Sequence, residues 1–166
     1  MFINSRFNLT YGFEDLIVEK LHERGYTKDS LCFVQSFDED ALEYTSTITD
    51  LKLIMLVHED ISDTKLDAWA KIFFGVGPWK NLIVPSWDME HGYKNGLTHH
   101  TTLIQRLHSR GLHVHPYTFR AEDRYLAHDY GQDIYAEYDM FVNLGVDGLF
   151  TDFPQSLSHY LHSFKN

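Results

Sequence analysis

Residues 133–154 read Asp-Ile-Tyr-Ala-Glu-Tyr-Asp-Met-Phe-Val-Asn-Leu-Gly-Val-Asp-Gly-Leu-Phe-Thr-Asp-Phe-Pro, and this stretch contains the unit that organises the whole chain. Ile134, Tyr138, Phe141 and Leu144 recur at the spacing of one helix face. Gly145 follows as a helix stop, because glycine accepts the left-handed backbone of a C-terminal cap. Val146-Asp147-Gly148-Leu149-Phe150 is then a short apolar run, the mark of a buried strand. The unit closes on a polar and aromatic turn, Thr151-Asp152-Phe153-Pro154.

The same phrase occurs upstream. Phe13 to Arg24 carries Phe13, Leu16, Ile17 and Leu21, stops at Gly25 and leads to Leu31-Cys32-Phe33-Val34. Thr98 to Arg110 opens on Thr98 as an N-cap, carries Leu103, Ile104 and Leu107, stops at Gly111 and leads to Leu112-His113-Val114. Leu51 to Val57 and Phe73-Phe74-Gly75-Val76 are two further apolar runs. Asp38-Glu39-Asp40 opens a helix from Asp40 to Ile48, its acidic first turn matched to the helix dipole. Helices alternating with buried runs predict an α/β fold, a parallel sheet or barrel of five strands. The strand ends predict the active face. Gln35-Ser36-Phe37, His58-Glu59, Gly77-Pro78-Trp79, His115-Pro116-Tyr117 and Thr151-Asp152 all follow apolar runs. Parallel folds place their chemistry at that end.

Composition bounds the function. The chain has 166 residues, which predicts one domain. The net charge of -10 argues against nucleic acid and against a polybasic membrane module. There is no apolar run long enough to span a bilayer. Residues 1–10 lack the apolar core of a signal peptide, and Asn8-Leu9-Thr10 matches the N-glycosylation triplet. Cys32 is the one cysteine, so no internal disulfide forms. The dinucleotide fingerprint, the phosphate-binding loop of nucleotide hydrolases, the nucleophile elbow and His-Glu-x-x-His are absent from the sequence.

Several residues invite chemistry and equally admit structural roles. His113 and His115 share a strand face, a spacing that suits a metal or a pair of hydrogen-bonded histidines. Asp147 and Asp152 flank one strand, as an acid/base pair or as turn and helix-start residues. His99-His100 reads as a neutral surface pair in a helix first turn. Arg120 and Arg124 suit an anion, or an ordinary exposed surface.

Four blocks carry a resemblance. They are Phe33-Val34-Gln35-Ser36-Phe37-Asp38, Gly75-Val76-Gly77-Pro78-Trp79-Lys80, His115-Pro116-Tyr117-Thr118-Phe119-Arg120, and residues 145–154. In this order the chain resembles the C-terminal part of the glycerophosphodiester phosphodiesterase family, of the long periplasmic and eukaryotic type. The resemblance implies an incomplete (β/α)8 TIM-type barrel of parallel strands, roughly its last five strand–helix units, with residues 1–166 as the C-terminal portion of that domain. It implies hydrolysis of glycerophosphodiesters to glycerol 3-phosphate and an alcohol. A divalent cation, calcium or magnesium, neutralises the phosphate oxygens in the full-length family enzyme while two histidines move protons. The subfamily is often exported.

The family's catalytic elements are a His-Arg-Gly motif, a Glu-x-Asp strand, a Glu-x-Lys strand and a His-Asp pair. We read none of them in its place here, so we assign no catalytic residue and no metal ligand, and expect this chain alone to bind no cation. The resemblance does imply a pocket wall: Gln35, His115, Tyr117, Arg120 and Asp152, with Trp87 at the mouth. The expected product is a family enzyme that this chain alone does not complete. The alternative is a non-catalytic relative that binds a partner or itself. The first and last strands are expected to be open apolar edges, which favours self-association and poor expression in isolation.

Overall fold

The computed structural model describes residues 12–88, 92–93 and 99–163, with the side chains of residues 87, 88, 92 and 93 outside the description. The Asn8-Leu9-Thr10 triplet and the expected N-cap Thr98 lie outside these residues. Chain order is α1 (Phe13–Glu23), β1 (Phe33–Ser36), α2 (Glu39–Ile48), β2 (Lys52–Val57), α3 (Asp63–Trp69) and β3 (Gly75–Pro78). A small hairpin follows, β4 (Trp87–Asp88) and β5 (Gly92–Tyr93). Then come α4 (Leu103–His108), β6 (His113–Val114), α5 (Ile134–Asn143) and α6 (Pro154–Ser163).

Local chemistry sets the boundaries. The Asp38 carboxylate accepts from the Ala41 N–H and opens α2, and the Ser62 hydroxyl does the same for Lys65 and α3. Asp133 opens α5 by accepting from the Tyr135 N–H. Gly25, Gly111 and Gly145 end their helices at φ +79, +74 and +91, the conformation for which glycine was read from the sequence.

The strands form one parallel sheet in the order β1-β2-β3-β6, with helices as the crossovers. Register places Leu53 beside Val34, and Met55 beside Val76, which neighbours Val114. This face is buried against the helices, with Leu66, Leu107 and Phe141 among the contributors to one core. The opposite face carries Gln35, Ile54, Gly75 and His113 in one row. Gly75 and Gly77 let β3 nest between its neighbours: a Cβ on Gly75 would stand 2.5 Å from the His113 carbonyl oxygen.

Three expectations need correction. Residues 146–150 do not form a regular fifth strand; residues 147–152 still hydrogen-bond through the backbone to residues 114–119, with one isolated bridge, Phe119 to Thr151. The cause is Asp147, whose carboxylate accepts the Val114 N–H at 2.8 Å and so takes a ladder donor from a backbone carbonyl. Helix α4 starts at Leu103 rather than near Thr98, because Thr101 is held outside it. The Thr101 N–H donates to the Ile83 carbonyl at 2.8 Å, and its hydroxyl donates to the Leu82 carbonyl at 2.7 Å. His99 and His100 therefore precede the helix, exposed, instead of sitting in its first turn.

Exposed ion pairs tie α3 to α4. Arg106 meets Asp60 at 3.1 Å and Asp63 at 2.9 Å, and Arg110 meets Asp67 at 2.6 Å. Pairs of this exposure contribute little each, but together they fix the loop after β2. No helix among the described residues is long and apolar enough to cross a membrane.

Candidate functional site

The strand ends of the sheet bring two rows of rings face to face. Along β1, alternation turns Phe33 and Gln35 to one side, and Phe37 follows in the bend just past the strand. Phe33 lies edge-on to His115 with centroids 4.8 Å apart, and Phe37 lies edge-on to Tyr117 at 5.5 Å. Gln35, exposed at the end of β1, stands between these contacts. Three sequence candidates, Gln35, His115 and Tyr117, thus share one wall.

Their chemistry differs. His115 is buried, and Gly148 packs against its ring, where a Cβ would meet Cδ2 at 3.0 Å. Burial lowers its pKa below the ordinary value and leaves the ring neutral at pH 7; the nearby Asp147 carboxylate only partly opposes this. The Tyr117 hydroxyl donates to the Val57 carbonyl at 2.9 Å, so it is committed to the scaffold and presents its ring. Burial pushes that phenol up to about 12.

A second pair stands at the end of the sheet. Arg120 Nη1 meets Asp152 at 3.3 Å, while Nε and Nη2 donate to Glu122 at 3.1 and 2.6 Å. The Tyr125 ring lies against the guanidinium, 4.3 Å from centroid to Cζ. Asp152 is half-exposed and Glu122 binds from the other side, so Arg120 meets two carboxylates. Donor and acceptor atoms side by side suit hydroxyls, and a phosphate would have to compete with Asp152 for Nη1. Arg124 is exposed and also lies against Tyr125, at 4.7 Å. Trp87 has its backbone in β4, paired with Tyr93.

Sequence reading passed over a cavity of 550 Å³ at the end of β2, lined by Phe37, His58, Glu59, Asp60, Lys65 and Trp69. Glu39 organises its floor: its carboxylate accepts from Trp69 Nε1 at 2.6 Å and pairs with Lys65 at 2.6 Å. Burial pushes Glu39 up, but the bonds from Lys65 and Trp69 outweigh it and hold the carboxyl below its ordinary value. The position of Phe37 and His58 just after apolar runs was the available signal.

At the opposite end of the strands, Asp147 meets His108 Nε2 at 2.9 Å and His113 Nδ1 at 3.5 Å, and His113 stacks on Phe74. These bonds fasten the last segment to the sheet. A divalent cation needs several converging donors. Among the described residues no three His, Cys, Asp or Glu side chains are grouped to hold a metal ion. The donor side chains of the described residues therefore do not fit a divalent cation. His128-Asp129, a His-Asp pair in the sequence, lies exposed in a tight turn at His128–Tyr130.

The sequence model of the Glycerophosphoryl diester phosphodiesterase family matches residues 4–156. The chain belongs to this family. It is 38% identical to the Glycerophosphodiester phosphodiesterase GDPD6 of Arabidopsis thaliana over 185 aligned positions, covering 96% of this chain and 48% of that protein. It is 27% identical to a Glycerophosphodiester phosphodiesterase of Haemophilus influenzae, covering 87% of this chain and 46% of the relative. The chain thus spans about half the length of these curated relatives. Among solved structures, a glycerophosphodiester phosphodiesterase from Parabacteroides distasonis superimposes with TM-score 0.61 at 18% identity. That superposition covers 92% of this chain and 51% of the other. The likeness establishes the fold: four parallel strands that form part of a TIM-type barrel, left open here as a sheet.

Acidification tests the His115 environment. A histidine whose folded pKa is lowered binds fewer protons folded than unfolded, so stability is retained above pH 6.5 and lost as pH falls through the folded value. Glu39 and Asp147, both lowered, act in the more acidic carboxylate range. The melting temperature should therefore drop as pH falls below about 6.5, and His115→Phe should flatten that slope. An unchanged slope in the variant would exclude His115 as its source.

Proposed function

We propose that this chain forms the C-terminal part of a glycerophosphodiester phosphodiesterase domain and supplies one wall of its pocket. The reaction is hydrolysis of a glycerophosphodiester to glycerol 3-phosphate and an alcohol. The family match over residues 4–156 carries this reading. The relatives' names and the placement of polar and aromatic groups at the strand ends support it. On this reading Gln35, His115 and Tyr117 shape one side of the pocket, with Trp87 at its mouth. Arg120 and Asp152 meet the glycerol or phosphate oxygens. Calcium or magnesium and the proton-transfer groups come from parts of the family barrel outside this set.

The 166-residue chain by itself is then inactive. The expected result is no turnover of glycerophosphocholine above background with added calcium or magnesium. Joined to the part of the Arabidopsis relative that it does not match, it should gain hydrolysis. Arg120→Ala in that fusion should then raise KM by roughly tenfold, the loss of one charge-assisted contact. Turnover by the chain alone, or a fusion indifferent to Arg120, would sink the assignment.

A second reading has one observation in its favour. Among the described residues, strand β1 pairs with β2 alone and its other edge is open. A non-catalytic family member that binds itself or a partner would use that edge. Sedimentation of the same samples separates the readings. Association that persists in the completed fusion favours the binding role, whereas association lost on completion favours the enzyme.

A further inference from the structure

Lys80 follows β3 and is 2% exposed; Glu137 on α5 is 1% exposed; their side chains meet at 2.7 Å. A buried ion pair is poor evidence of stabilisation, because desolvating two charges costs about what their attraction returns. Glu137 Oε2 even lacks a hydrogen-bond partner among the described residues, which is not how an optimised pair is built. The geometry around Lys80 offers another reason for the charge. Its backbone N–H donates to the Tyr117 carbonyl at 2.8 Å, and Nζ donates to the Tyr125 carbonyl at 3.1 Å. These are the two ends of the loop that carries Arg120. The Phe119 ring lies beneath the ammonium at 5.5 Å, and the Tyr125 ring lies against the Arg120 guanidinium.

We propose that Lys80 is a positioning residue: it clamps residues 117 and 125 and so fixes the Tyr125 platform on which Arg120 rests, with Glu137 as its buried counter-charge. An apolar side chain could fill the same space but could not donate to the Tyr125 carbonyl. The burial of both groups, which pushes Lys80 down and Glu137 up, is the cost of placing a donor there. For the identity of the ligand that Arg120 meets, the proposal rests on the phosphodiesterase reading; for the clamp itself it does not.

The test observes the guanidinium directly, in the full chain labelled with ¹⁵N-arginine, with the Arg120 Nε–H signal assigned through Arg120→Lys. The variant Lys80→Met/Glu137→Leu should melt close to the parent, yet shift the Arg120 signal and speed its hydrogen exchange by roughly tenfold. Glu137→Gln, which keeps an acceptor for Nζ and leaves the donor to Tyr125 in place, should retain the parent Arg120 signal. If the double variant does not fold, Lys80→Gln/Glu137→Gln provides the comparison, with one amide donor left and a smaller shift expected. An unchanged Arg120 signal in a folded Lys80 variant overturns the proposal. Equal changes at Arg106 and Arg110, held by Asp60, Asp63 and Asp67, also overturn it, because they would mark general loosening. Titrating the parent with glycerol 3-phosphate separates the two ideas. No response there, with the Lys80 dependence intact, rejects the ligand reading and leaves the clamp.

Discussion

Lys80→Met alone is expected to lower stability by about 3–5 kcal/mol, because it strands the Glu137 carboxylate inside the protein. Glu137 is 1% exposed, and among the described residues Lys80 is its ion-pair partner, at 2.7 Å. Melting should fall by roughly 10 °C, judged from the usual dependence of melting on stability in domains of this size. The deficit has a pH signature. Burial raises the Glu137 pKa, so the folded protein holds that proton more tightly than the unfolded chain does. Such a group supports the fold below its unfolded pKa, near 4.3, and that support is lost as pH rises through the folded value. The Lys80→Met protein should therefore approach the parent in acid and diverge from it at pH 8. Urea titrations at both pH values would measure this. A cost independent of pH would mean that lost packing, not the stranded carboxylate, is responsible.

Gly75→Ala should cost about 3 kcal/mol, the upper end for overpacking a rigid contact. The added methyl would lie 2.5 Å from the His113 carbonyl oxygen and 3.0 Å from its carbonyl carbon, both backbone atoms of the neighbouring strand. Neither atom can move without parting β3 from β6. Gly148→Ala is the control. Its new Cβ would meet the His115 ring at 3.0–3.2 Å, a side chain that can tilt, so the cost should be near 1 kcal/mol. Equal losses at the two positions would show that the β3–β6 contact is softer than the geometry indicates.

Much of the fold was legible because it is written in local chemistry. Helix faces, the glycines at 25, 111 and 145 and the apolar runs all act within a few residues of themselves. What escaped was set by distant partners. The Asp147 carboxylate reaches the Val114 N–H, 33 positions away, and turns an expected strand into an irregular segment. Thr101 is tied to Leu82 and Ile83, which delays α4. The site divides in the same way. Gln35, His115 and Tyr117 were readable as strand-end residues, and alternation alone predicts that Phe33 and Gln35 share a side. Lys80 and Glu137 lie 57 positions apart, and nothing in either neighbourhood marks them as a pair.

The irregularity at residues 146–150 also limits stoichiometry. Among the described residues, β1 offers four regular residues at one side of the sheet, Phe33–Ser36; at the other, residues 147–151 hydrogen-bond inward to the β6 side without forming a regular strand. A sheet with two equivalent sticky sides can grow without end, copy after copy, because each addition regenerates the side it consumed. With one regular side, joining two copies edge to edge about a two-fold axis uses up what each has to offer. Association through strand edges would then stop at two copies, and an assembly that continued to grow would have to use another surface.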